Sequence, residues 1–227
     1  MSITLTWLGH SAFALEIDGH PVLFDPFLTG NPLASTTADQ LEAEVILLSH
    51  AHGDHLGDTV DIAKRTGAPV ITNFEIANWL EAKGVENAIG VNPGGTYRGD
   101  FLDAKWTIAH HSSSFPDGTY GGQPNGFVVT ADGKKLYFAG DTALFMDMQL
   151  IGEMSIDVAF LPIGDFFTMG VEDSIRAIQY VRPKLVIPMH YNTFPPITQD
   201  VVDWANRVNR DTQATPVVLD PGGSYSL

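Results

Sequence analysis

Three imidazoles and a carboxylate crowd into six residues at His50-Ala51-His52-Gly53-Asp54-His55. Neutral imidazole nitrogen and hard carboxylate oxygen together suit a borderline divalent cation such as zinc, manganese or iron. His50 and His52 can turn the same way and grip one ion, while Asp54 and His55 turn toward a second beside it. The chemistry that a metal pair supports is hydrolysis. It polarises an acyl or phosphoryl oxygen and lowers the pKa of a bridging water from 15.7 toward about 7, so hydroxide forms near neutral pH. The chain has only eight His, and three of them in one run weigh against a merely polar surface turn.

Two adjacent ions need more donors than this run supplies, and further His and Asp stand where apolar segments end. His110-His111 closes Trp106-Thr107-Ile108-Ala109, Asp141 closes Leu136-Tyr137-Phe138-Ala139, and His190 closes Leu185-Val186-Ile187-Pro188-Met189. Asp141 is an acidic group able to bridge two cations. Periodicity does not choose between His110 and His111. Successive side chains on a continuing strand point to opposite sides, so only one of the pair faces the ions.

The elements that must position these groups are short. Thr4 to Trp7, Ala12 to Ile17 and Val22 to Phe24 read as strands, with Asp18-Gly19 as a hairpin signal. A loop follows from Asp25 to Pro32, and Val45 to Ser49 is a buried strand that delivers the histidine run onto a loop at its end. Asp58 to Thr66 is helical, Pro69 to Ile71 is a strand, and Asn73 caps a helix ending near Gly84. Strand-like segments occupy Ala88 to Thr130, and Asp132-Gly133 turns into a strand at Lys135 to Ala139. Val158 to Ile163 is a buried strand, and Val171, Ile175, Ile178 and Val181 form one helix face. A strand at Leu185 to Pro188, a helix around Val201, Ala205 and Val208, and strands at Val217 to Leu219 and Ser224 to Ser226 complete the chain. Strands lead and helices follow in each half. The pattern predicts an α/β fold, a four-layer αβ/βα sandwich of two packed mixed β-sheets with outer helices, in one domain spanning 1–227.

Composition narrows the partners. The 227 residues are 44% hydrophobic, and 12 Lys and Arg against 27 Asp and Glu give a formal net charge of −15, with no basic residue before Lys64. Such a surface repels phosphate backbones, which argues against long nucleic acids and anionic membranes. Zero Cys removes disulfides and thiolate ligands. Neither a signal-like N-terminus nor an apolar run of roughly 20 residues is present. The expectation is a cytoplasmic protein acting on a small molecule, with a homo-oligomer compatible with the composition.

The signature His50-x-His52-x-Asp54-His55, followed by a strand-end His, Gly140-Asp141-Thr142 and a final His190, resembles the metallo-β-lactamase fold superfamily over essentially the whole chain. Trp7-Leu8-Gly9-His10-Ser11, the segment from Asp25 to Pro32, Gly164 to Gly170 and Pro188 to Pro195 resemble a branch of small metal-dependent hydrolases related to the L-ascorbate-6-phosphate lactonases. The resemblance implies that His50, His52 and His111 bind a first metal, that Asp54, His55 and His190 bind a second, and that Asp141 bridges. It selects His111 because the family's ligand directly precedes a run of small residues, here Ser112-Ser113-Ser114. It also suggests a rim or supporting role for His10. Zinc is the first choice of metal, with manganese or iron as alternatives. The flavodiiron branch has a carboxylate where His52 stands, lactamases proper often use a Cys that this chain lacks, and the transfer-RNA branch carries a basic arm absent here.

The expected activity is hydrolysis of a small ester, lactone or thioester by a dinuclear-metal-activated hydroxide, with Asp54 both ligand and catalytic residue. A phosphodiesterase on a small substrate and a non-catalytic metal-binding regulatory module are the alternatives. Asp25 either orients a ligand histidine or forms an Asx turn. Asp165, Thr168, Tyr191 and Asn192 flank the site as candidate substrate contacts, His20 reads as a solvated hairpin residue, and Phe166-Phe167 and Phe194 are expected to line the pocket or, more simply, to pack in the core.

Overall fold

Side-chain alternation along short strands sorts this chain into layers. The computed structural model describes residues 2–227. The first half supplies β1 (Ile3–Gly9), β2 (Ala12–Ile17), β3 (His20–Phe24), β4 (Val45–Leu47), β5 (Val70–Thr72) and β6 (Ala88–Gly90). The second supplies β7 (Thr96–Arg98), β8 (Asp103–Ile108), β9 (Asn125–Ala131), β10 (Lys134–Phe138), β11 (Val158–Pro162), β12 (Leu185–Met189) and β13 (Thr215–Pro216), and β14 (Ser224–Ser226) returns to the first sheet. Two seven-stranded sheets result, ordered β14-β1-β2-β3-β4-β5-β6 and β13-β12-β11-β10-β9-β8-β7. Both are mixed. Pairing is antiparallel from β1 to β3 and parallel from β3 to β6. In the second sheet it is antiparallel from β7 to β10 and parallel from β10 to β13.

The period of two decides which face goes where. Val22, Phe24, Val45, Leu47 and Ile71 enter the core between the sheets. Their neighbours Leu23, Ile46, Leu48 and Val70 face outward onto Ile62 of α2 (Thr59–Thr66) and Ile76 and Leu80 of α3 (Phe74–Ala82). Between the sheets, Phe13 meets Phe160 edge to face with centroids 4.7 Å apart, and Phe24 meets Phe127 at 5.0 Å. Each such ring contributes roughly 1.5–3 kcal/mol by leaving water. The short α4 (Met148–Gly152) precedes α5 (Val171–Val181) and α6 (Val201–Asp211), which lie on the other outer face and are joined where Trp204 Nε1 donates to Ser174 Oγ at 3.0 Å. Ile175, Ile178, Val181, Trp204 and Val208 complete that side of the core. This is the expected α/β sandwich with outer helices. Among the described residues no helix is long and apolar enough to cross a membrane.

Two local expectations are corrected. The histidine run is not all loop, because Gly53–Leu56 forms a helical turn, α1. At the C-terminal side the strand beside β12 is Thr215–Pro216, ahead of the expected 217–219. Pro216 has no N–H to continue a ladder, so the strand stops at this sheet edge after a last bond from Val217 N to Val186 O.

The arrangement aims the loops after β1, β3 and β4 and those after β8, β10 and β12 at one another. His190 N donates to His10 O at 3.1 Å and Asn125 N to Ser49 O at 3.2 Å, tying the two sheets together at that rim.

Candidate metal centre

From the first sheet, β4 runs into Ser49 and His50, and α1 then presents Asp54 and His55 within one turn. Gly57 closes that turn at φ +42°, where a Cβ would lie 2.5 Å from Pro26 O, so only glycine lets the loop after β3 pack there. That loop brings in Asp25, wholly buried. Its carboxylate accepts from Ser49 N at 2.8 Å, from Ser49 Oγ at 2.5 Å and from His55 Nδ1 at 2.7 Å. Because Ser49 Oγ donates to Asp25, it accepts from His50 Nδ1 at 3.0 Å. Both histidines therefore donate from Nδ1 and turn Nε2 toward the rim, the orientation that outer carboxylates and hydroxyls impose on metal-binding histidines.

From the second sheet come His111, Asp141 and His190. Gly140 sits at φ +61° with no room for a Cβ, which would stand 2.5 Å from Asn125 O, and this kink turns Asp141 inward. Asp141 Oδ2 lies 3.0 Å from His190 Nε2, 3.4 Å from His111 Nε2 and 4.0 Å from His50 Nε2, while Oδ1 lies 3.2 Å from His55 Nε2. One carboxylate thus reaches four histidines from three loops.

Two groups of donors form around it. Ligating atoms of His50, His52 and His111 lie within 4.8 Å of one another, and so do those of His10, Asp54, His55 and His190. The chemistry of the set fits divalent ions. His55 Nε2 and Asp141 Oδ1 are buried without hydrogen-bond partners, and orphaned buried polar atoms of this kind are rare unless something binds them. His50 Nε2 and His52 Nδ1 stand 3.1 Å apart, a close approach of nitrogens that a shared cation accommodates.

Electrostatics agree. Burial lowers the pKa of His50, His52 and His111, and lowers that of His10 to about 4, so these rings stay neutral and keep a lone pair to give. Burial disfavours charge on His55 too, but Asp141 and Asp25 on either side outweigh it and raise its pKa well above the usual imidazole value. Its proton sits between two carboxylates, where a cation is stabilised. Burial also opposes charge on Asp141, yet His190 and His55 hold its carboxyl well below the ordinary range. Asp54 behaves alike, its burial outweighed by the hydrogen bond from His10 and the field of His55.

All seven residues assigned as ligands from sequence, His50, His52, Asp54, His55, His111, Asp141 and His190, come together. His110 does not join them. It is exposed and packs edge to face on Phe145 with centroids 5.1 Å apart. The strand ends at Ile108, so the separation arises in the loop. His111→Ala is therefore expected to lose metal from the first group while His110→Ala retains most of it. Elemental analysis of both purified variants checks this.

His10 is closer to the centre than a rim position implies. Fully buried at φ +58°, it places Nε2 3.2 Å from Asp54 Oδ2 and Nδ1 2.8 Å from Thr193 Oγ1, with its ring centroid 4.1 Å from that of His190. Other flanking candidates are turned elsewhere. Asn192 Oδ1 accepts from Gln199 N at 2.8 Å, Thr168 Oγ1 donates to Met169 O, and Tyr191 stacks on Trp7 at 5.4 Å. Asp165 is exposed on the loop after β11. His20 is not simply solvated: it pairs with Glu44 Oε2 at 2.8 Å and stacks on Phe101. Phe166 and Phe167 are not in the core either, being 73% and 52% exposed.

Known proteins place this geometry in context. The family model described as "Beta-lactamase superfamily domain" matches residues 4–190. A UPF0173 metal-dependent hydrolase from Thermus thermophilus is 51% identical over 220 residues, 97% of each chain. One from Methanopyrus kandleri is 47% identical over 226 residues, 97% of this chain and 98% of the relative. The solved structure of a metallo hydrolase from Ignicoccus hospitalis superposes with a TM-score of 0.92 at 40% identity, covering 100% of this chain and 99% of that one.

Proposed function

Since the chain belongs to the beta-lactamase superfamily domain family and is a metal-dependent hydrolase of the metallo-β-lactamase fold, we propose that it hydrolyses a small ester, lactone or thioester at a centre of two divalent ions, zinc foremost. His50, His52 and His111 would hold the first ion, Asp54, His55 and His190 the second, and Asp141 would serve both. The observation that carries this reading is the reach of Asp141, whose two oxygens lie 3.0 to 4.0 Å from histidines of both groups.

Bound there, the ions supply Lewis acidity to the scissile carbonyl and acidify the attacking water. The protein supplies position. Asp25 and Ser49 lock the His50 and His55 rings, and Thr193 and His10 fix Asp54 from behind. Asp54 is the acidic ligand most open to solvent, its side chain 31% exposed against 2% for Asp141. Its depressed pKa makes it a weak base, so it accepts a hydrogen bond from the water and aligns it with the carbonyl carbon. Water adds to that carbon, the bond to the leaving oxygen or sulfur breaks, and the water proton passes to the leaving group.

A panel of esters, lactones, thioesters and phosphodiesters, assayed on metal-loaded protein with and without chelator, tests the proposal. Chelator-sensitive turnover of an acyl substrate supports it, and turnover confined to phosphodiesters contradicts it. Asp54→Ala is expected to lower turnover on the best substrate by about 10²-fold or more. Because Asp54 lies at the open rim, Tm should move by no more than about 4 °C. Loss of turnover within twofold of wild type would reassign the residue.

A further inference from the structure

The loops that carry the donor groups hold no Lys or Arg. All 12 basic residues fall outside 1–63, 66–82, 106–133, 136–175 and 185–206, and each loop at the rim lies inside one of those stretches. The basic side chains lie on other segments, where several are already paired, as Arg65 is with Glu42 at 2.9 Å, Arg98 with Asp103 at 3.1 Å, Lys184 with Asp157 at 2.8 Å and Arg207 with Glu172 in the first turn of α5. A cavity of about 710 Å³ adjoins His111, and its lining, which includes Ala109, Ser112, Tyr120 and Pro124, contains no Asp, Glu, Lys or Arg. That volume suits a small ligand.

The same rim displays apolar surface. Phe166 and Phe167 are exposed on the loop between β11 and α5, and Met146, 63% exposed, stands on the loop that follows Asp141. Those two loops are joined where Met169 N donates to Thr142 O at 2.9 Å. Exposed aromatics beside a catalytic centre, on loops that themselves hold no Lys or Arg, mark a surface that receives uncharged apolar groups.

Resting on the acyl-hydrolase reading above, we propose that the substrate carries no anionic group away from its scissile bond and places an apolar acyl or alcohol portion in the groove beside His111 and Tyr120. Positive charge at the centre acts on the scissile group alone. A second, remote anion would find no Lys or Arg on the loops that carry the donors and would be repelled by a protein of net charge −15. Phosphorylated sugar lactones, coenzyme A thioesters and nucleotide-linked esters are thereby disfavoured, and neutral esters and lactones are favoured.

Two esters with the same leaving group and the same acyl chain length separate the possibilities: 4-nitrophenyl hexanoate and the 4-nitrophenyl half-ester of adipic acid, which differs by a terminal carboxylate. At low salt, kcat/KM for the hexanoate is expected to exceed that for the half-ester by about tenfold or more. Raising ionic strength should narrow the gap by screening the repulsion. Tyr120→Lys, which changes an exposed groove residue, should narrow it several-fold at low salt. Equal kcat/KM values at low salt, or a preference for the half-ester, would overturn the inference and leave the acyl-hydrolase reading standing. No chelator-sensitive turnover of either ester would remove that reading and the inference with it.

Discussion

Asp141→Asn is expected to reduce turnover by about 10³-fold, the upper end of what one preorganised electrostatic group contributes, and to lower metal content. The change keeps shape and removes charge. Asp141 is 2% exposed and faces His55, His111 and His190 at 3.2, 3.4 and 3.0 Å, so an amide there offers one neutral acceptor where two anionic oxygens are required. It also puts an N–H₂ group against at least one histidine nitrogen. Turnover on a substrate identified from the panel, measured together with elemental analysis of the variant, checks the expectation. Activity within tenfold of wild type with full metal content would show that Asp141 does not join the two groups.

Asp25→Ala is expected to be the most destabilising single change near the centre, by about 3–5 kcal/mol, the cost of leaving one member of a buried charged pair without its partner. Asp25 and His55 are both wholly buried and 2.7 Å apart. Removal of the carboxylate also strands Ser49 N and Ser49 Oγ, each of which donates to it. At this chain length each kcal/mol shifts Tm by about 2–4 °C. Metal affinity should fall by about 10–100-fold, because the His55 ring loses the acceptor that sets its tautomer. Asp25→Asn retains an acceptor for His55 and should recover part of both losses. Thermal or urea unfolding gives the first quantity and metal titration the second. Destabilisation below about 1 kcal/mol, with metal affinity unchanged, would mean that Asp25 merely shapes its loop.

What could be read from sequence was what sequence encodes locally. His50, His52, Asp54 and His55 share six residues after an apolar strand, and Asp141 and His190 each follow one, so their grouping needed only the inference that strand ends face one rim. The strands themselves were legible through alternation, as with Val22, Leu23 and Phe24, which divide between two cores. His10 shows the limit. Its approach to Asp54 and His190 depends on β1 lying beside β2 in one sheet while its carbonyl bonds across to the other, a relation between residues 44 and 180 positions apart that no local pattern records. The four-residue α1 is too short to show a helical period. Phe166 and Phe167 misled for a different reason. Hydrophobicity predicts burial on average, and only the loop's place at the rim reveals them as exposed. His110 and His111 could be separated by the resemblance and not by periodicity, since β8 ends at Ile108 before either is reached.

Asp141 is proposed to join two donor groups into one two-ion centre. Metal stoichiometry tests this most directly, by elemental analysis of chain purified without chelator and again after saturation with zinc and removal of the excess. Two divalent ions per chain are expected at saturation, one for each donor group, with His111→Ala and Asp54→Ala each retaining about one. A wild-type chain that saturates at a single ion, or one that turns over an acyl substrate at full rate when shown to be metal-free, would contradict the proposal.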